Sequence, residues 1–390
     1  MTDSLSMNRR ALLSGLAGVS LVFAGRAAWA SEINRKKLVV IIARGGLDGL
    51  SVSPPYGDPA YAALRGALAI GAPGTEEGAL KLNDTFGLHP SLPELHAMTL
   101  AGEARIAPAV AIPDRIRSHF EAQDVLENGT AKVYATNSGW LNRALQAQGS
   151  TRGLSVGATA PLVLRGPVQA ASWAPGPNLP QGDRVAGLLM DLYKDDPLLA
   201  PALASGLSTE AMAMSAEGGA TLRRGDVKAL GETVARLILQ DNGPDLVAVS
   251  LDGFDTHAGQ RAQLKTRLAA PDQLIAGLKS GLGPVWKDTA VVMATEFGRT
   301  ARVNGTGGTD HGTASTLVLA GGALKGAGIV GDWPTLAEGK LFENRDLAPT
   351  LDVRAVFKGL LRDHMGVDRA KLDRVVFPDS AAVKPVEGLV

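Results

Sequence analysis

The chain has 390 residues, of which 45% are hydrophobic, so it is long enough to bury a large core. Its 39 basic and 39 acidic residues cancel, no run of five basic residues occurs, and only 4% of residues are aromatic. This composition argues against binding to nucleic acid or to an anionic membrane surface. The absence of cysteine excludes disulfides, thiolate ligands and a cysteine nucleophile, so a bound metal would need His, Asp, Glu or water as ligands.

The first thirty residues are predicted to be an export signal. Arg9 and Arg10 precede an apolar stretch of about fourteen residues, and residues 28–30, Ala-Trp-Ala, fit a cleavage site. Paired arginines are typical of twin-arginine signals, which deliver folded proteins across the inner membrane. An N-terminal anchor is the alternative, but Arg26 ends the apolar stretch short of the roughly 20 residues that span a bilayer. We therefore expect a periplasmic or secreted protein that uses the twin-arginine export machinery and has no stable membrane span.

Short apolar runs then alternate with segments of helical pattern. Such near-continuous runs are typical of strands buried on both faces of a parallel sheet. We predict an α/β fold, a doubly wound and mostly parallel sheet flanked by helices, in a single domain over 31–390 with loop insertions at 66–90 and 161–183. The predicted strands are 38–43, 104–110, 161–166, 245–251, 289–295 and 315–321, and the predicted helices are 120–128, 137–148, 184–193, 225–241, 258–280 and 346–363.

Polar residues stand next to several of these predicted strands. In open parallel sheets, ligands bind beyond the carboxyl ends of the strands, so we expect these residues to meet at one edge. Five separate segments contribute to the set, and one of them, 307–313, precedes its strand. The candidates are Asp48, Ser118, His119, Asp255, His257, Glu296, Asp310 and His311.

Carboxylates and imidazoles without thiols suit a divalent cation such as zinc, manganese or magnesium, as one or two ions. Such an ion polarises a P=O or S=O oxygen and activates a hydroxyl nucleophile. Ser118, at a predicted helix start, is the candidate nucleophile, and neighbouring His119 is a further catalytic candidate. Arg117, Arg44 and Arg299 are candidates for neutralising an oxyanion, because a guanidinium matches tetrahedral oxyanions.

Several candidates also have a structural interpretation. Asp48 fits an ordinary turn after a strand, and Ser118 with Glu121 fits a capping box. Glu296 and Arg299 fit a surface ion pair.

Two further segments favour a ligand role. Asp255 and His257 fit a helix cap, although their spacing favours metal ligands. The segment 307–313, GGTDHGT, is the hardest to explain structurally. A glycine-rich loop gains little from an Asp-His pair unless a ligand organises it. We therefore expect flexible glycines that let His311 reach a cation.

Certain stretches resemble a known family. They include 44–50 RGGLDGL, 117–124 RSHFEAQD, 252–257 DGFDTH, 295–300 TEFGRT, 307–313 GGTDHGT and 331–334 GDWP. In order along the chain, they resemble the bacterial secreted family of unknown function that carries the number fifteen hundred and one. That family is placed in the alkaline-phosphatase-like superfamily, together with sulfatases and phosphodiesterases.

The resemblance implies two divalent ions and a hydroxyl nucleophile. Asp48 resembles the aspartate of the second metal, Ser118 the nucleophile, and Asp255, His257 and His311 the ligands of the first metal. The chain departs from the superfamily pattern at Glu296-Phe297, where an Asp-His pair is usual, and in the shorter spacing of Asp255 and His257. Phenylalanine cannot bind a metal, so a single-metal enzyme or a site without catalysis stays open.

These observations together predict an exported metal-dependent hydrolase of phosphate or sulfate esters with a serine nucleophile. The candidate metal residues are Asp48, Asp255, His257, Glu296, Asp310 and His311, of which Asp310 would orient His311 or a neighbouring ligand. The substrate would be a small-molecule or polysaccharide-linked ester. The alternative is a secreted binding or scaffold protein that keeps the fold without catalysis.

Overall fold

A mixed, mostly parallel sheet of nine strands lies at the centre of the computed structural model. The structure describes residues 36–150, 152–157, 160–174, 183–197, 199–217, 225–326 and 328–390, so the predicted export signal lies outside the described residues. The sheet strands are β1 Lys37–Ala43, β4 Ala104–Ala111, β5 Gly153–Val156, β6 Ala171–Trp173, β7 Leu246–Leu251, β8 Thr289–Ala294, β9 Ser315–Ala320, β10 Gly328–Ile329 and β11 Leu351–Asp352. A separate antiparallel pair is formed by β2 Leu80–Lys81 and β3 Gly87–Leu88.

The sheet order is β10-β4-β9-β8-β1-β7-β5-β6, and β11 also pairs with β4. All neighbouring pairs are parallel except those of β9, which runs antiparallel to both β4 and β8. Because only β9 is reversed, the other strands of this sheet all have their carboxyl ends at one edge. The predicted fold class is confirmed.

Helices pack against the sheet, and apolar side chains fill both interfaces. Along β1, Leu38, Val40 and Ile42 belong to one core cluster, whereas Val39 and Ile41 belong to another. Burial on both sides explains why the strand reads as a continuous apolar run. The helices are α1 Gly49–Val52, α2 Tyr61–Arg65, α3 Pro93–Leu100, α4 His119–Asn128, α5 Trp140–Gln148, α6 Asp183–Tyr193, α7 Leu199–Glu217, α8 Val227–Ile238, α9 Gln260–Leu282, α10 Val353–Gly359 and α11 Arg369–Lys371.

Two predicted elements differ from the structure. The run at 161–166 contains a short 3-10 turn, Leu162–Leu164, and not a strand. Two strands that were not predicted, β5 and β6, flank that turn. The helix predicted at 346–363 begins only at Val353, where the Asp352 side chain caps it by accepting a hydrogen bond from the Arg354 amide. Among the described residues, no helix combines the length and the apolar character needed to cross a membrane.

Candidate metal centre

The five predicted segments meet at one edge of the sheet. β1, β4, β7 and β8 end there, because they are parallel to one another. β9 begins there, because it is reversed, and so the loop 307–313 that precedes it reaches the same edge. An isolated bridge between Arg299 and His311 joins this loop to the segment that follows β8.

Three imidazoles face one carboxylate at this edge. Asp255 Oδ1 lies 2.9 Å from His257 Nε2 and 3.3 Å from His311 Nε2. The two Nε2 atoms are themselves 3.0 Å apart. His119 Nε2 lies 3.4 Å from the other oxygen of Asp255, and no hydrogen bond partner for that nitrogen occurs among the described residues. Donor atoms of His119, Asp255 and His311 all lie within 4.8 Å of one another.

The opposite ring nitrogen of each histidine faces an acceptor oxygen. His119 Nδ1 lies 2.9 Å from Glu296 Oε1, and His257 Nδ1 lies 3.1 Å from Asp310 Oδ1. His311 Nδ1 lies 2.8 Å from the backbone carbonyl oxygen of Arg117. A neutral imidazole that donates from Nδ1 presents a lone pair at Nε2. In that state all three Nε2 atoms turn lone pairs toward the Asp255 carboxylate.

This donor set fits a divalent cation. Two lone pairs and a carboxylate oxygen about 3 Å apart repel each other unless a positive charge lies between them. Bonds of about 2.1 Å in a tetrahedral zinc site place the donors about 3.4 Å apart, close to the separations here. Hydrogen bonds from Nδ1 to a carboxylate or carbonyl are the usual support for metal-bound histidines.

The charges around the donors also favour a cation. The Asp255, Glu296 and Asp310 carboxylates face the guanidinium of Arg299, whose Nη1 lies 2.8 Å from Asp255 Oδ1. Arg345 also acts on Asp310, but its own ion pair is with Asp346. Three negative charges and one positive charge leave a formal charge of −2 with neutral imidazoles. Burial opposes ionisation of Asp255, but Arg299 and the neighbouring imidazoles together hold the pKa of this carboxyl below its usual value.

Glu296 supports the centre from inside the fold, where its side chain is fully buried. Burial opposes its ionisation, but hydrogen bonds from His119, Gln123 and the Gly45 amide hold its pKa below the usual value. The carboxylate in turn raises the pKa of His119 through the Nδ1 hydrogen bond.

Phe297, where the sequence resemblance implied a histidine ligand, packs against two of the histidines. Its ring centroid lies 4.8 Å from those of His119 and His311, and its side chain is buried. This ring fills the space beside the imidazoles and restricts their orientation. Phe297 therefore contributes packing, and not a donor atom.

The structure does not bring Asp48 into this cluster. Its carboxylate is buried and binds the equally buried guanidinium of Arg65, which lies 17 residues further along the chain. The same oxygen, Oδ2, accepts a hydrogen bond from Ser51 at 2.7 Å and another from the amide of Gln260. The protein thus provides its own cation for this aspartate.

Ser118 lies between two residues of the centre. It is the N-cap residue of α4, but its side chain makes no capping hydrogen bond, so the capping box with Glu121 does not form. His119 follows it, and the carbonyl of Arg117 before it accepts the hydrogen bond of His311. Ser118 is partly exposed, and its hydroxyl makes no hydrogen bond to the described residues.

The three arginines considered for oxyanion binding are engaged by acidic or polar groups. Arg117 pairs with Asp346 at 2.7 Å and Glu343 at 2.6 Å, so its backbone carbonyl is the part that serves the centre. Arg44 pairs with Glu127 at 2.6 Å. Arg299 is buried against Asp255, so the surface ion pair considered for it with Glu296 is not what the structure shows.

The glycines of the loop 307–313 serve close packing, contrary to the expected flexibility. A Cβ on Gly308 would lie 2.2 Å from backbone atoms of His257, and one on Gly312 would lie 2.5 Å from the backbone of Arg299. Asn304, which the sequence analysis did not single out, fastens the loop further by donating to the His257 carbonyl and to Asp310. These contacts hold the loop against the segments that carry His257 and Arg299.

Besides Asn304, three supporting residues were not singled out from the sequence. Gln123 donates to Glu296 at 3.0 Å and lies four residues after His119, on the same side of α4. Gln260 and Arg65 hold Asp48. Helical spacing from His119 was the one signal that pointed to Gln123, whereas no spacing pattern connects Arg65 with Asp48.

The sequence profile of a family described as "Protein of unknown function (DUF1501)" matches residues 35–376 of the chain. No protein with a curated description matches. The chain is similar to the solved C-terminal periplasmic domain of EcEptC from Escherichia coli, with 12% identity and a TM-score of 0.42 over 91% of this chain and 88% of that one. It is also similar to an alkaline phosphatase from the Antarctic bacterium TAB5, with 11% identity and a TM-score of 0.38 over 75% and 93% of the two chains.

Proposed function

This chain belongs to the DUF1501 family of proteins of unknown function, and we propose that it is an exported hydrolase of phosphate or sulfate esters that depends on a single divalent cation. The convergence of three Nε2 atoms on the Asp255 carboxylate carries the proposal. The proposed ligands are Asp255, His257, His311 and His119. In this proposal His119 moves from the catalytic candidates to the ligands, whereas Glu296 and Asp310 orient ligands.

When bound, the cation supplies charge that polarises the ester and makes a nearby hydroxyl a better nucleophile. Ser118 Oγ gives up its proton to water as it attacks phosphorus or sulfur, and the ester oxygen leaves with the electron pair of the broken bond and takes a proton from water. Water then hydrolyses the serine ester and restores the hydroxyl. The backbone amides at the start of α4 and its dipole favour the anionic group near Ser118.

The buried ion pair of Asp48 with Arg65 supports a single ion. A second cation at Asp48 would lie beside the Arg65 guanidinium, whose positive charge already compensates this carboxylate. The proposal also keeps the twin-arginine signal at 1–30 and one domain over 31–390, which would place the enzyme in the periplasm or outside the cell.

Element analysis of protein exported in vivo tests the metal centre. We expect close to one divalent ion per chain and almost none in the variant Asp255→Ala/His257→Ala/His311→Ala. The control is His96→Ala, since His96 lies on α3 and its Nε2 faces the Lys81 carbonyl instead. Two ions per chain, or full metal content in the triple variant, would reject the single centre.

Turnover of aryl phosphates, phosphodiesters and aryl sulfates by the metal-containing protein tests the chemistry. Replacing Ser118 by Ala should abolish turnover and leave the metal content at the wild-type level, because the hydroxyl is the attacking group and not a ligand. Unchanged turnover in this variant rejects Ser118 as nucleophile.

A non-catalytic binding or scaffold protein is the second candidate. The observation that favours it is the loss of a second cation site through Arg65 and Phe297. Stoichiometric metal without turnover of any ester in the panel would support this candidate over the hydrolase.

A further inference from the structure

A cavity of about 790 Å³ adjoins the metal centre. Its wall includes Gln123 from α4 and Arg44 and Asp252, which follow β1 and β7. Gln123 also donates to Glu296 at 3.0 Å, and Glu296 lies 2.9 Å from His119 Nδ1. One side chain therefore belongs both to the cavity wall and to the support of the metal centre. A volume of this size is typical of small-molecule binding sites.

Two exposed aromatic rings line this cavity. Phe120 is 83% exposed and Tyr134 is 68% exposed, and no other aromatic side chain in the described ranges is exposed to a comparable degree. Most aromatic rings of this chain lie in the core, where they contribute most to stability. Two rings left in water at one cavity, the first directly after His119, are better explained by a ligand than by folding.

The backbone holds Tyr134 in place. Its φ of 55° lies in the left-handed region, which residues other than glycine seldom adopt. Its amide donates to Asp124 Oδ1 at 2.6 Å, and Asn128 donates to the same oxygen at 2.7 Å. Asp124 lies on α4 and also lines the cavity. The backbone at Tyr134 is therefore tied to α4, the helix that carries His119.

The polar part of the wall offers free hydrogen-bonding groups. Asp252, Asn137 and Arg165 are exposed, and their side chains make no hydrogen bond to the residues that the structure describes. Asp252 provides an acceptor, Arg165 provides donors, and the Asn137 amide both donates and accepts. The wall has two guanidinia, those of Arg44 and Arg165, and three carboxylates, those of Asp124, Glu127 and Asp252, so its formal charge is −1. This balance does not favour a polyanion.

We propose that this cavity binds a neutral sugar ring of a glycan. Aromatic faces pack against the C–H groups of a sugar ring, and the free polar side chains match its hydroxyl groups. The ester at the metal centre would then be attached to a glycan, a detail that rests on the proposed function. Binding of the sugar itself does not require the metal.

The test is retardation of the whole protein in native gels that contain neutral glucan, galactan or mannan. We expect at least one of them to retard the wild type, and the variant Phe120→Ala/Tyr134→Gly to bind that polysaccharide at least tenfold more weakly. Glycine suits the positive φ at position 134, and alanine suits the exposed helical position 120, so the fold should survive. Leu100→Ala is the matched control, since Leu100 is 73% exposed and is not part of the cavity wall.

The Asp255→Ala/His257→Ala/His311→Ala variant separates this inference from the proposed function. We expect it to bind the polysaccharide as the wild type does. Glycan binding without any ester turnover would retain the sugar site and reject the hydrolase. Ester turnover without retardation in any of the gels, equal retardation of the double variant, or preferential binding of nucleosides in the same cavity would overturn the sugar site.

Discussion

Asp255 and Asp48 follow two neighbouring strands of the sheet, yet they lie in opposite environments. The side chain of Asp255 is 44% exposed and faces three imidazoles, whereas that of Asp48 is 1% exposed and binds Arg65, Ser51 and Gln260. Each aspartate also has an arginine partner. The second oxygen of Asp255 faces His119 Nε2, whereas that of Asp48 is buried without a hydrogen bond partner among the described residues. Asp255 is the better candidate for a metal ligand because its contacts with the described residues include imidazole nitrogens, and those of Asp48 do not.

The two aspartates are connected through buried polar groups. The amide of Gln260 donates to Asp48, and its carbonyl oxygen accepts from Thr309 Oγ1 at 2.6 Å. Arg299 Nε donates to the same Thr309 oxygen at 3.3 Å, and Arg299 Nη1 holds Asp255. The buried region around Asp48, which we call the closed region, therefore supports Arg299. Arg299 in turn orients Asp255 in the exposed region around the three imidazoles, which we call the open region.

The largest expected effect tests the closed region. Replacing Asp48 by Ala leaves the Arg65 guanidinium buried and unpaired, which should lower the free energy of unfolding by about 3 to 5 kcal/mol. The metal content should stay at one ion per chain. Urea unfolding and element analysis of the same sample measure both quantities.

The double replacement Asp48→Leu/Arg65→Met serves as the control, because it removes both charges and should recover much of the lost stability. If Asp48→Ala instead loses metal with no change in stability, Asp48 is a ligand and the contrast with Asp255 is wrong.

A smaller effect, on metal affinity, is expected in the open region around Asp255. Asp310→Asn weakens the support of His257 Nδ1, so the metal affinity should fall by about 10- to 100-fold. The free energy of unfolding should change by less than about 0.5 kcal/mol, since the Asp310 side chain is 51% exposed. Competition with a fluorescent chelator measures the affinity, with the exposed Asp332→Asn as control. Equal affinity of the variant and the wild type would count against an orienting role.

The smallest effect concerns pH and again tests the closed region. His89 is buried close enough to Asp48 to sense its charge, and burial lowers the pKa of His89 to about 4. The unfolded chain binds a proton at this residue near pH 6.5, more readily than the folded protein does. Its contribution to stability is therefore complete above pH 6.5 and is lost as the pH falls toward 4.

When the pH falls from 7 to 5.5, protonation of His89 in the unfolded chain should lower the free energy of unfolding by roughly 1 kcal/mol. His89→Asn should remove that part of the pH dependence, because an amide oxygen can accept the Ser91 amide hydrogen in place of Nδ1. Urea unfolding in the triple alanine background of the metal centre isolates the effect. An unchanged pH dependence would mean that His89 titrates normally and that the region is more open than described.

Much of the fold could be predicted from the sequence, because strands buried on both faces read as apolar runs. Five of the six predicted strands occur, and 161–166 failed because a run of that length can equally form a buried turn. The direction of β9 was not predictable, since a central strand has the same composition in either direction. That direction is nevertheless what brings His311 to the other donors.

The candidate site was predictable as a set of residues but not in its details. Proximity of Asp255 and His257 to the segment after β8 followed from the positions of strand ends, whereas that of Asp310 and His311 depended on the reversed direction of β9. The pairing of His119 with Glu296, 177 residues apart, depends on the tertiary fold. The same holds for Arg65, which no motif connects with Asp48.

Phe297 has a consequence for the choice of ion. Its ring sets the spacing of two imidazoles without offering an electron pair of its own. The preference of the centre for one ion over another would then depend on the volume of the side chain at position 297 as well as on the chemistry of the ligands. Exchanging this ring for a smaller aliphatic group would alter the radius of the cation that fits while every coordinating atom stayed in the chain.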